Sequence, residues 1–279
     1  MRAIEDQVIL VTGSTDGLGK GTAQALAAIG ASVLLHGRDP SKLERTLRAM
    51  EKATGNDRIK AYLADFSSLD EVRHLAAKVQ EDNNQLDVLI NNAGIGYGRP
   101  NAQHRETSKD GYELRFQVNY LAHFMLTGLL VPLLRQSAPC RIVNVTSLGQ
   151  EAIDFNDVML ARAYNGVRAY RQSKTAQIMF TFDLSERLQK DSITVNCLHP
   201  ATFMDTKMTR EAAVNPRNSV RSGIDAVMYL ATSPELEGIT GKFFDQREES
   251  WAIAQAYDIN ARSALRQLSE KLTGVALPD

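Results

Sequence analysis

Tyr170 and Lys174 stand four residues apart in Y-R-Q-S-K, inside a segment with helical spacing. Positions i and i+4 share a helix face, so the phenol and the ammonium project to the same side. A free tyrosine titrates near pH ~10, and a neighbouring ammonium favours its phenolate. The pair is therefore a candidate proton donor and acceptor at a reacting oxygen. Ser147 ends the run R-I-V-N-V-T-S, and N-N-A-G, residues 91–94, ends another apolar run. Carboxyl ends of strands are where a parallel α/β sheet presents residues to its ligand. Asn119 sits in F-Q-V-N-Y, an amide with little reason to occupy an apolar helix unless something binds it. Upstream, T-G-S-T-D-G-L-G places Gly13, Gly17 and Gly19 in a strand-to-helix turn. Glycines there allow positive φ and let the backbone approach a pyrophosphate at a helix N-terminus. Taken singly, each feature also reads as a turn, a cap or a buried hydrogen bond. In this order they converge on proton transfer beside a dinucleotide.

The elements that must position these residues follow from periodicity. Short β-branched runs at 8–12, 32–35, 59–63, 86–90, 141–146, 193–198 and 241–244 predict seven strands. Helix-period segments at 19–29, 40–53, 69–83, 110–134, 170–189 and 219–232 lie between most of them. This alternation predicts one doubly wound Rossmann-type α/β domain over 1–279, a seven-stranded parallel sheet with helices on both faces. The strands are continuous apolar runs, as burial on both faces requires. No Pro/Gly/Ser-rich linker or repeat interrupts the rhythm, and residues about 251–273 are expected as a helical extension packed back on the domain.

Composition removes other classes. With 32 Lys+Arg against 33 Asp+Glu the net charge is -1, so no nucleic-acid footprint is expected. At 43% hydrophobic and 23% charged, the chain is neither disordered nor fibrous. Cys140 and Cys197 lie in apolar runs and read as reduced core residues of a cytoplasmic protein. Acidic residues precede the first apolar run, and a strand-and-turn pattern follows within a dozen residues, so no signal peptide is expected. The longest apolar stretch, 121–134, contains His123, Thr127, Gly128 and Pro132 and falls short of the roughly 20 residues of a membrane span, so none is expected. There is no G-x-S-x-G or G-x-x-x-x-G-K-[ST], and the five histidines have no metal-ligand spacing; no metal is expected.

In these motifs, from residue 7 to 272, the chain resembles the short-chain dehydrogenases/reductases. F-Q-V-N-Y-L-A-H-F, I-D-F-N-D-V and T-G-K-F-F are similar to the retinol-dehydrogenase-like branch. The resemblance implies an enzyme acting on CH–OH or C=O groups of a small alcohol, ketone or aldehyde with a nicotinamide cofactor. It implies that Tyr170 exchanges the proton, Ser147 bonds the substrate oxygen, and Lys174 binds the nicotinamide ribose and lowers the Tyr170 pKa. Asn119 would hold a water linking Lys174 to solvent. Cofactor contacts would come from Gly13, Ser14, Thr15, Gly17, Leu18 and Gly19, from Arg38, from Asp65 and the Phe66 N–H at the adenine, and from Asn92, Ala93 and Gly94. Pro200 and Phe203 would add the nicotinamide end. Here the pattern departs, because His199-Pro200-Ala201 stands where Pro-Gly is usual and a threonine is displaced by one, leaving Thr206 or the backbone near Phe203 to meet the carboxamide. The insert 148–169, with 97–104 and 203–218, is expected to line or cover the substrate site. Dimers or tetramers built on the 110–134 and 170–189 helices are implied, and monomers also occur in that branch.

Cofactor choice turns on S-V-L-L-H-G-R-D, which offers no acid at the end of the second strand to accept from both ribose hydroxyls. Arg38 follows, and its guanidinium can grip a 2′-phosphate. NADP(H) is expected, with NAD(H) the alternative because Asp16 occupies a loop position where some NADP enzymes carry a base. Two other functions compete: a redox-responsive regulator that binds the dinucleotide without turnover, and a dehydratase or epimerase. The first needs Lys174 at most and has no use for Asn119, Ser147 and Tyr170 together; the second normally carries a larger C-terminal domain.

Overall fold

The computed structural model describes residues 1–98, 104–162 and 164–278. Strand β1 (Val8–Val11) leads into α1 (Gly17–Ala28), then β2 (Ser32–Gly37), α2 (Pro40–Thr54), β3 (Ile59–Leu63), α3 (Leu69–Asp82) and β4 (Val88–Asn91). The helices start where capping chemistry allows. Asp39 caps α2 ahead of Pro40, which has no N–H to lose, and Ser68 caps α3. The second half runs α4 (Leu114–Phe116), a π-helical turn Gln117–Leu121, α5 (Ala122–Ser137), β5 (Cys140–Val145), α6 (Gly166–Arg187) and β6 (Ile193–His199). It ends with α7 (Lys207–Glu211), α8 (Val220–Thr232), β7 (Phe243–Asp245), β8 (Glu248–Ser250), a 3-10 turn Ala254–Tyr257 and α9 (Ile259–Thr273).

The sheet order is β3-β2-β1-β4-β5-β6-β7-β8. Strands β1 to β7 pair in parallel, with Val11 beside both Leu35 and Ile90. The winding direction reverses between β1 and β4, and a crevice at their carboxyl ends is the ligand position of such sheets. Alternation along the strands splits the core in two. Leu10, Leu34 and Leu89 pack with α3, α5 and α6, while Ile9, Val11 and Leu35 pack with α1 and α8. Each such side chain contributes roughly 1.5–3 kcal/mol by leaving water.

Three expectations need correction. The sheet has eight strands, not seven, and β8 is antiparallel, because Gln246 at φ 57 turns the chain back on β7. Helix does not begin at Trp251, which is exposed; α9 starts at Ile259, capped by Asp258. The apolar segment is also longer than expected, since Leu114–Ser137 forms one 24-residue helix through the π turn, long and apolar enough to cross a membrane. Of its most apolar window 83% is buried inside the protein, which is the position of a core helix. The tail packs back as expected: Arg262 pairs with Glu186 at 2.8 Å, Tyr120 Oη meets Ser269 Oγ at 2.7 Å, and Val275 lies on Gly128.

Candidate active site

The glycine turn is held by backbone close approach. A Cβ on Gly13, at φ 65, would sit 2.7 Å from Ala93 Cα, and one on Gly19 would sit 2.4 Å from the Gly13 carbonyl oxygen. Neither position accepts a side chain, because Gly13 lies on the backbone of Ala93 and Gly19 lies on the Asn92 amide and the Gly13 carbonyl. Thr12 Oγ1 accepts from the Asn92 and Ala93 N–H groups, and Asn92 Nδ2 donates to Thr12 O. Asn92 therefore braces the loop. Ser14 Oγ accepts from His36 N at 2.8 Å, and His36 Nδ1 accepts from Gly13 N at 3.0 Å. The other ring nitrogen of His36 faces the Ala64 carbonyl, and the ring stacks on Phe66 at 4.4 Å. Burial pushes this histidine down to about 4, so it is a neutral strut under the turn. Thr15 lies against Gly37, and Leu18 is buried in the core.

Arg38 is exposed just beyond β2, and among the described residues no acceptor holds it. Asp39 is committed elsewhere, accepting from Lys42 N as the α2 cap. Asp16 caps α1 and pairs with Lys42, whose hydrogen bond holds its carboxyl below the usual range. At Asp65 burial raises the pKa, but the Ser67 N–H and Lys109 outweigh it and the group titrates low.

At the carboxyl end of β5, Ser147 Oγ accepts from Gly149 N at 2.9 Å. Tyr170 comes from the first turns of α6, started by Asn165 accepting from the Val167 and Arg168 N–H groups. Its phenol is raised by burial, and the hydrogen bond with Ser147 opposes that rise. Lys174 Nζ lies 5.9 Å from the Tyr170 ring centre, donating to Val145 O at 3.0 Å and Gln177 Oε1 at 2.7 Å. Burial pushes it down to about 7. The expected lowering of Tyr170 by Lys174 is thus corrected: the ammonium is aimed at two carbonyl oxygens, and desolvation controls both groups.

Asn119 is fully buried in the π turn. Its Oδ1 accepts from Ile95 N, and its Nδ2 faces Ile95 O and Ser173 Oγ, so the side chain pins the strand-end loop to α6. Its carbonyl lies 2.9 Å from His123 Nδ1. Gly94 passes close to this amide, since a Cβ there would meet Asn119 Oδ1 at 3.2 Å.

The loops close from two sides. Tyr97 packs edge-on to Tyr170 at 6.0 Å; residues 99–103 of the expected cover lie outside the described residues. After β6, buried Pro200 leads to Phe203 at φ 46, whose ring meets the Arg217 guanidinium at 5.5 Å. Thr206 caps α7 and its methyl lies against Gly17, so the displaced threonine does reach the glycine loop. His199 Nε2 meets Thr202 Oγ1, and burial lowers its pKa. The insert is sewn to the tail by two glutamines. Gln150 bonds Ser147 O and Ile253 N, while Gln255 bonds both the N–H and C=O of Ile153. Sequence reasoning missed His36, Gln150, Gln177 and Gln255. Only Gln177 carried a signal, at i+3 from Lys174 on one helix face.

The chain matches the short chain dehydrogenase family over residues 7–218. It is 36% identical to retinol dehydrogenase 13 of Homo sapiens, over 99% of this chain and 87% of that protein. Among solved structures it resembles an uncharacterized protein from Mycobacterium paratuberculosis (27% identity, TM-score 0.79, covering 98% and 96% of the two chains). It also resembles a short chain dehydrogenase from Shigella flexneri 2a str. 301 complexed with NADP (27% identity, TM-score 0.68, 87% and 97%). The chain belongs to the short chain dehydrogenase family, as an oxidoreductase of its retinol-dehydrogenase-like branch acting on CH–OH or C=O groups.

Proposed function

We propose that this chain is an NADP(H)-dependent oxidoreductase in which Tyr170 is the general acid/base toward a small alcohol, ketone or aldehyde. The reading is carried by the convergence of Ser147 from a strand end with Tyr170 and Lys174 from one helix face, beside the glycine turn. The close packing at Gly13 and Gly19 keeps the turn tight ahead of the α1 N-terminus, which suits a pyrophosphate there. Bound nicotinamide supplies or takes up the hydride. In reduction Tyr170 donates its proton to the carbonyl oxygen, and burial, by keeping the phenol protonated, favours that role. Ser147 hydrogen-bonds the same oxygen as charge develops on it. Lys174 holds the ribose hydroxyls and returns a proton to Tyr170.

The preference for NADP(H) is supported by Arg38, exposed and uncommitted, with Asp39 occupied as a cap and the charge of Asp16 offset by Lys42. The buried thiols Cys140 and Cys197 suit a reducing, cytoplasmic setting. Tyr170→Phe is the test: turnover of a panel of ketones and aldehydes, followed by NADPH absorbance, should fall by about 10²- to 10⁴-fold with NADPH affinity retained. Near-parent turnover by the Phe variant sinks the assignment, and a parent that binds NADPH but turns over nothing favours the regulator.

A further inference from the structure

Lys174 is 5% exposed and, among the described residues, has no carboxylate within ion-pair distance. The groups around its ammonium are few. From α6 come the Tyr170 ring and the Gln177 amide, from β5 the Val145 carbonyl, from α5 His123, and from the β4 loop the main chain of Gly94. His123 is buried and neutral, held far below its ordinary pKa by desolvation, so it offers no charge to offset the lysine. A protonated Lys174 therefore depends on neutral oxygens, and only one of these belongs to a side chain.

An ammonium only donates, so the Gln177 atom 2.7 Å away must be its oxygen. This turns the Gln177 NH₂ toward His123 Nδ1, 3.2 Å away, on a side chain that is 1% exposed. The same Nδ1 lies 2.9 Å from the Asn119 carbonyl, and the opposite ring nitrogen lies 3.3 Å from Thr12 Oγ1, the hydroxyl that braces the glycine turn. A neutral imidazole nitrogen can serve the amide N–H or the carbonyl, not both.

We propose that Gln177 is a positioning residue for Lys174: its carbonyl oxygen holds the charged form of the lysine in the site. The residue touches neither substrate nor cofactor and acts through Lys174. The inference rests on the assignment of Tyr170 and Lys174 as the proton-handling pair.

The experiment is the pH dependence of kcat for carbonyl reduction with saturating NADPH, in the parent, Gln177→Leu and Gln177→Glu. Removing the acceptor should move the alkaline midpoint down by about one to two pH units, the scale of a hydrogen bond to a charged group. A carboxylate at the same place should move it up. A purely structural role would lower kcat at every pH and leave the midpoint in place. Coincident midpoints in the three enzymes overturn the proposal, and if the Leu variant does not fold, an unmoved midpoint in Gln177→Glu does so alone. Failure of the underlying assignment looks different, since Tyr170→Phe would then keep its turnover while the Gln177 profiles are still measurable.

Discussion

The nucleotide half and the substrate half of this molecule are built by different means. Around β1, β2 and the glycine turn, shape comes from close backbone packing and helix caps. The backbone of Gly13 lies on that of Ala93, His36 props the turn from the neighbouring strand, and caps at Asp16 and Asp39 set the helices. The substrate half is assembled from segments far apart in the chain. The loop after Ser147 is tied to the tail by Gln150 and Gln255, Tyr97 reaches Tyr170 from the β4 loop, and Thr206 returns to Gly17 from beyond β6. One half can be specified by local main-chain geometry because its ligand, a pyrophosphate, is recognised by main chain. The other must vary its side chains with the substrate, so its supports are long-range and individually small.

The largest expected difference between the halves lies in turnover. Ser147→Ala should lower kcat by about 10²- to 10³-fold, the scale of a donor aimed at a developing oxyanion, with NADPH affinity unchanged. Isothermal titration beside steady-state kinetics separates the two quantities, and an effect confined to KM would reduce Ser147 to a binding contact.

Stability should distinguish the buried histidines. The folded pKa values of His36, about 4, and His123, about 3, lie below their ordinary 6.5. The unfolded chain therefore binds more protons below pH 6.5, and stability present above that value is lost as pH falls toward 4 and 3. By pH 5 each histidine should cost about 2 kcal/mol relative to pH 8. Urea unfolding of His36→Phe should show a lower stability at pH 8 but a shallower acid slope; parallel slopes would mean that His36 already carries a proton in the fold.

Arg38→Ala tests the nucleotide half without touching its glycines. NADPH affinity should fall by about 10- to 100-fold, as for loss of a charge-assisted hydrogen bond, and NADH affinity should stay as it was. Equal losses for both cofactors would place Arg38 on something other than the 2′-phosphate.

The smallest effect belongs to the stitching of the substrate half. Gln255→Ala removes two hydrogen bonds to Ile153 and should cost about two- to tenfold in kcat with no change in NADPH affinity. If cofactor affinity drops instead, the halves are coupled more tightly than the packing implies.

Legibility in the sequence follows the same division. The strand-turn-helix at residues 8–28, the strand end at Ser147 and the one-face spacing of Tyr170 and Lys174 are local patterns, fixed by side-chain periodicity and the φ freedom of glycine. The order of the elements, and with it the crevice at β1 and β4, follows from alternation and handedness. Periodicity over a short window could not show β8, because its pairing with β7 depends on the left-handed turn at Gln246, nor that the helix through Asn119 contains a π turn. Charge state was beyond reach for a different reason. A lysine four residues from a tyrosine lowers that tyrosine in water, but here both are desolvated by packing, and the ammonium is claimed by Val145 O and Gln177 Oε1. Which groups are present, and on which face of which element they stand, could be read from residue order alone, since those are consequences of chain geometry. Which of them lose water, and which neighbour each one finds, depends on the folded packing, because desolvation and hydrogen bonding are properties of the closed interior.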